Sequence, residues 1–145
     1  MSASVSNEVR DLFDRYVRYL DDERYDEWLD LFSADAYYGV ITHRDWSQGT
    51  NYVIVGERKP KLAERVRAGA REDIYRKMHL LTAITPMPGE PGAAVANFAL
   101  FKNSVATFCG RYLVGFEGAG DAMRITKWMV VLDSDTVVDT VFLPI

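Results

Sequence analysis

The chain has 145 residues, of which 48% are hydrophobic, enough for one core of ordinary size and too few for a second domain. Its 17 basic and 21 acidic residues leave a formal charge of −4, with the two signs interspersed, which argues against nucleic acid or an anionic membrane as a partner. One cysteine, Cys109, excludes an internal disulfide and any metal site that needs two thiolates.

Apolar residues at positions 9, 12, 13, 16, 17 and 20 repeat with the period of one helical face, so Val9 to Leu20 is predicted as an α-helix. Asp11 with Arg15 and Asp14 with Arg18 are spaced to support it from the solvent side. A shorter second helix is predicted through Tyr25, Trp28, Leu29 and Phe32, ending at Ser33-Ala-Asp35. Tyr37 to Thr42 and Tyr52 to Val55 are aromatic and β-branched and read as two short strands. Pro60 opens a predicted third helix over 59–69, with Leu62, Ala63 and Val66 on one stripe.

Beyond Met78 the pattern is that of antiparallel sheet: Met78 to Thr85, Ala93 to Ser104, Val105 to Glu117, and Met123 to Leu132 with a tail through Leu143. Pro86 to Gly92 and Gly118 to Asp121 are turn formers, and Asn103-Ser104 is either a tight hairpin or a bend in one strand. Helices first and sheet afterwards describe an α+β domain over residues 1–145, two or three helices packed into the concave side of a strongly curved sheet. Such a cone leaves a pocket at its wide end, and a sheet face rich in Val, Phe and Trp is expected to bind a second or third copy of the chain. The N-terminal residues have no basic segment followed by an apolar run, and no stretch reaches the roughly 18 apolar residues of a membrane span, so a cytoplasmic location is expected.

Candidate chemistry is sparse. His79 begins a predicted inner strand and Asp21 follows the apolar stripe of the first helix, so a carboxylate and an imidazole have a route to one another. A pair of that kind makes a general base, with Tyr38 as its acid. The alternatives are a satisfied core histidine and an aspartate that caps the second helix. Tyr25, Tyr52, Asn97 and Tyr112 are candidate pocket groups, and Tyr37 is a further phenol of the same type. His43, among the polar residues of Thr42-His-Arg-Asp-Trp46, reads as a surface residue, and Cys109 as a small buried hydrophobe.

Several segments, in order, resemble one family. Tyr19-Leu-Asp-Asp-Glu-Arg-Tyr-Asp-Glu-Trp-Leu-Asp-Leu-Phe32 is similar to its opening helices, and His79-Leu-Leu-Thr-Ala-Ile84 with Val95-Ala-Asn-Phe-Ala-Leu-Phe101 to its histidine and asparagine strands. Cys109-Gly-Arg-Tyr-Leu113 and the ending Val130 to Ile145 resemble the elements that follow. The family is that of small (β) subunits of aromatic-ring-hydroxylating dioxygenases, which have a nuclear-transport-factor-2-like (NTF2-like, SnoaL-like) cone. Ile74-Tyr-Arg-Lys-Met-His79 is most similar to the short small subunits of aromatic-acid oxygenases such as terephthalate dioxygenase. The resemblance implies a non-catalytic subunit that carries no cofactor. The Rieske [2Fe-2S] cluster and mononuclear iron would then lie on a partner large (α) subunit. A Rieske centre takes two cysteines and two histidines, and this chain has one and two. The alternative reading is a stand-alone dehydratase, isomerase or cyclase that uses Asp21, His79 and Tyr38.

Overall fold

The computed structural model describes residues 4–137, 141 and 143–145. Helix α1 (Asn7–Asp21) starts at Ser6, whose hydroxyl accepts a hydrogen bond from the Val9 amide at 3.2 Å. It buries Val9, Leu12, Phe13, Tyr16 and Leu20, the stripe read from the sequence. The helix is closed by Glu23 in the left-handed region at φ 58°. The Arg24 amide bonds the Tyr19 carbonyl at 2.8 Å and the Glu23 amide bonds that of Leu20 at 3.2 Å. This paired closure makes a tight turn without glycine and sets the direction of Asp21.

Helix α2 (Tyr25–Asp30) is shorter than predicted, because Phe32 belongs to strand β1 (Phe32–Thr42). Phe32 pairs with Ile125, and the Ile125 amide bonds the Leu31 carbonyl at 2.8 Å, so a strand far along the chain decides where the helix stops. Between Phe32 and Tyr37 the register shifts, and the carbonyls of Phe32 and Asp35 are taken by Lys59 Nζ at 2.9 Å and an Arg58 guanidinium nitrogen at 3.0 Å. Helix α3 (His43–Ser47) was not predicted. Its signal is Thr42, whose Oγ1 accepts from the Asp45 amide at 3.2 Å and donates to the Asp45 carboxylate at 3.1 Å.

Strand β2 (Val55–Arg58) lies further along the chain than expected: only Val55 of the predicted run is in it, and Tyr52 is 76% exposed. Helix α4 (Lys59–Glu72) follows, with Pro60 in its first turn. Strands β3 (Lys77–Pro86), β4 (Ala93–Lys102), β5 (Val105–Glu117) and β6 (Arg124–Leu132) lie where the sequence placed them. Asn103 and Ser104, at φ 48° and 68°, form a two-residue hairpin rather than a bend. Residues 133–137 of the predicted tail are not strand, and Val138, Asp139, Thr140 and Phe142 lie outside the described residues.

The strands form one open sheet in the order β2-β1-β6-β5-β4-β3, antiparallel except for the β1 and β6 pair. Its inner face presents Ala94, Ala96, Phe98, Leu100, Phe108, Tyr112, Val114, Trp128 and Val130 to the helices, and all are buried. The outer face carries a smaller cluster of Ile41, Met129 and Val131 with Tyr37 and Leu113. Contrary to expectation it carries no tryptophan: Trp28 and Trp128 are in the inner core, and Trp46 is on α3.

Strands β5 and β6 approach closely at Gly110, where an added Cβ would lie 2.0 Å from the Val131 carbonyl oxygen. Gly110→Ala therefore forces two backbones apart. It is expected to cost about 3 kcal/mol or more, read as a lower urea midpoint.

Candidate functional site

Asp21, the last residue of α1, points away from the second helix and toward β3. Its Oδ2 accepts a hydrogen bond from the His79 backbone amide at 3.0 Å, and its Oδ1 lies 2.5 Å from His79 Nδ1. An ionised carboxylate only accepts, so Nδ1 carries the proton in this contact. Asp21 caps no helix: α2 begins at Arg24 without a side-chain cap.

The His79 side chain has no exposed surface and that of Asp21 is 15% exposed. A cleft of about 980 Å³ lies beside them, between the solvent-facing side of α1 at Arg15 and Arg18 and the outer residues Met78 and Leu80 of β3. The histidine ring faces inward, and its Nε2 is buried without a hydrogen-bond partner among the described residues. A general base must offer a free nitrogen to its substrate. Here that nitrogen is buried and unpartnered among the described residues, and the contact joins the end of α1 to β3.

The interior expected to be a pocket is largely filled by aromatic side chains, and a cavity of about 160 Å³ remains beside the inner-face residues Leu100 and Phe108, with Leu143 and Ile145 on its wall. Tyr16 stacks on Trp128 at 3.6 Å between ring centroids, and Tyr112 stacks on Phe98 at 4.3 Å. Trp28, Phe32 and Tyr112 pack around Tyr16 with centroids 5.5 to 6.5 Å away. Leu143 and Ile145 are buried against it: the Tyr16 hydroxyl donates to the Ile145 carbonyl at 2.8 Å, and the Ile145 amide donates to the Tyr38 hydroxyl at 2.8 Å. Tyr38 is thus engaged by main chain and is not brought against His79 by any hydrogen bond among the described residues. Burial, reinforced by neighbouring tyrosines, pushes the Tyr16 and Tyr112 phenols well above their ordinary range. Burial raises Tyr38 as well, opposed in part by the Ile145 hydrogen bond.

The other candidates separate. Tyr52 is on an exposed loop, and Asn97 is on the outer face of β4, bordering a cleft of about 400 Å³ with His43, Cys109 and Arg111. Cys109 is exposed, not buried, because the alternation of β5 that turns Phe108 inward turns its neighbour outward. Tyr25 is half-buried at the start of α2, its hydroxyl 3.4 Å from Lys77 Nζ. Lys77 also pairs with Asp73, an interaction sequence reading missed although the spacing of four residues advertises it. Tyr112 is inside but packed, its hydroxyl unpartnered among the described residues. Among those residues no group of three or more His, Cys, Asp or Glu side chains is placed to hold a metal ion. No described helix is long and apolar enough to cross a membrane.

The family described as ring hydroxylating beta subunit matches residues 15–139. The chain belongs to that family. The structure is similar to that of a β subunit ascribed to an aromatic-ring-hydroxylating dioxygenase from Novosphingobium aromaticivorans, with a TM-score of 0.81, 25% identity and 95% of each chain covered. The β subunit of benzoate 1,2-dioxygenase from Burkholderia mallei superposes with a TM-score of 0.71 at 20% identity, over 96% of this chain and 97% of that one. An NTF2-like protein from Exiguobacterium, at 16% identity and a TM-score of 0.61, covers 86% of this chain and 99% of its own, and shows the shared fold. No curated protein sequence matches the chain. This β-subunit fold therefore has the expected α+β cone, with its concavity largely but not wholly occupied by its own side chains.

Alkali provides a test of that packing. A phenol whose pKa is raised on folding holds its proton more tightly in the native state, so its contribution is intact below about pH 10 and is lost as pH rises toward the folded value. Each of Tyr16, Tyr38 and Tyr112 is expected to lower stability by about 1.4 kcal/mol per pH unit above that point. The ultraviolet signature of tyrosinate from these three should appear only together with loss of the circular dichroism signal.

Proposed function

We propose that this β-subunit family member is the non-catalytic small subunit of a Rieske-type aromatic-ring-hydroxylating dioxygenase, and that it supports assembly of an iron-bearing large subunit in the breakdown of aromatic compounds. The observation that carries this reading is the packed cone: a concave face largely occupied by Tyr16, Trp28, Trp128 and Ile145, with a cavity of only about 160 Å³ left beside Leu100 and Phe108, offers support and little room for a reaction. The Rieske cluster and mononuclear iron belong to the large subunit in this reading, in keeping with one cysteine and two histidines here. Copies of the small subunit associate as a dimer or trimer through the outer sheet face near Leu113 and Tyr37. The cytoplasm, where an exposed thiol such as Cys109 stays reduced, is the compartment that fits.

The 2.5 Å contact between Asp21 and His79 is the one observation that favours the second reading, a stand-alone enzyme with His79 as base. One experiment separates the two. Co-expressed with a Rieske-type large subunit, the chain is expected to purify as an iron-containing hetero-oligomer, and His79→Ala in that complex to leave kcat within about twofold. A general base contributes about 100-fold or more, so the second reading instead requires the isolated chain to catalyse a proton-transfer reaction next to a carbonyl that His79→Ala slows by that factor. Failure to join any Rieske-type large subunit, with full oxygenase activity in its absence, would overturn the assembly role.

A further inference from the structure

The two ends of the sheet are guarded differently. Strand β2 is one edge, only four residues long and carrying Glu57 and Arg58. Short, charged edges recruit other strands poorly. Strand β3 is the other edge and has ten residues. From Met78 to Ile84 it reads Met-His-Leu-Leu-Thr-Ala-Ile, with no acidic residue, lysine, arginine, proline or glycine. Met78 and Leu80 are 61% and 51% exposed on its outer side. A seven-residue run of this kind on an open edge, mostly apolar and without lysine, arginine or carboxylate, has the composition of a segment that pairs with copies of itself.

The strand's own geometry shows where it is vulnerable. The His79 amide bonds Asp21 and so points away from β4, although His79 is opposite Leu100 in the ladder. Alternate residues of an antiparallel strand direct their backbone groups to the same side, which turns the Leu81 amide toward the free edge as well. Asp21 covers the first of these positions with one carboxylate oxygen and holds the ring of the same residue with the other. Further along, the register shifts between Thr82 and Thr85, with Ala83 in the left-handed region at φ 54°. A bulge of this kind bends the edge and ends regular pairing. The carboxylate at one end and the bulge at the other leave about one unguarded amide between them.

We propose that Asp21 is an edge cap: it occupies the outward amide of His79 so that β3 cannot add a strand from a second copy, and association is directed to the outer sheet face. The inference needs no particular large subunit and no catalytic role for His79. It also accounts for a carboxylate bonded to both the backbone and the ring of one residue, since the ring bond fixes the carboxylate over the amide. An aspartate serves better than a neutral side chain because both of its oxygens accept.

The test compares Asp21→Ala with Leu12→Ala, a core variant adjusted by temperature to equal fractional stability, and with Asp21→Ala/Thr82→Lys, which places a charge on the exposed side of the same edge. Sedimentation velocity and thioflavin T fluorescence report assembly. Asp21→Ala is expected to grow into thioflavin-positive species beyond the mass of the unmodified protein, the lysine to reverse this, and Leu12→Ala to stay at the original mass. The proposal is overturned if Asp21→Ala keeps that mass, if Leu12→Ala assembles equally, or if the lysine has no effect. Should Asp21→Ala fail to fold, hydrogen exchange on the unmodified protein decides the matter. A His79 amide protected on the order of tenfold or more over its unstructured rate supports the cap, and unprotected exchange there refutes it.

Discussion

Tyr16 stands where helix, sheet and terminal segment meet. Its ring lies flat against Trp128 of β6, its edge meets Tyr112 of β5, and its hydroxyl reaches the main chain of Ile145. A sheet curved around one side needs large side chains to fill its concavity, since a void there would forfeit dispersion contacts on every wall. Tyrosine and tryptophan fill such a space at the cost of bringing polar atoms inside. The Tyr16 hydroxyl finds Ile145, whereas the indole nitrogens of Trp28 and Trp128 and the Tyr112 hydroxyl have no partner among the described residues. The filling that gives the cone its rigidity also leaves polar groups inside it that folding must tolerate.

The clamp between Asp21 and His79 follows from the same architecture. Helix α1 crosses the concave face and must end near the free strand β3, because Tyr16 and Leu20 hold it against the core. The turn closed by Glu23 then presents Asp21 to the strand edge. In an open cone a carboxylate and an imidazole so placed would make a proton-transfer pair. Here the same two groups join the end of α1 to the amide and the ring of one residue of β3. On this fold the identity of two residues does not by itself fix a function, which depends on the space and the groups around them.

Much of this was legible in the sequence. The stripe from Val9 to Leu20 and the four strands after Met78 are local patterns of period 3.6 and 2, and both survive in the structure because burial follows the same periods. The end of α2 was misread because Phe32 is apolar and continues the helical spacing, while its pairing with Ile125 lies 93 positions further on. Tyr52 has the residue type of a strand, but β1 pairs with Val55 to Arg58 instead. Cys109 was placed inside by its residue class, and the alternation of β5 put it outside. The candidate site was half legible: Asp21 and His79 stood out as a carboxylate at a helix end and a histidine in an apolar strand, yet no spacing rule connects residues 58 positions apart.

By itself the sequence determined the class of the domain, the helical and strand faces, and the scarcity of cysteine and histidine ligands, since these depend on composition and on neighbours close along the chain. The order of segments also carried the family. Tertiary structure alone decided that aromatic side chains take most of the cone, that Ile145 bonds the hydroxyls of Tyr16 and Tyr38, and that Asp21 reaches His79 by its amide as well as its ring. Each of these rests on contacts between segments distant in sequence, whose distances are set by the bend of the sheet and the packing of its aromatic residues, and neither is written in any local pattern.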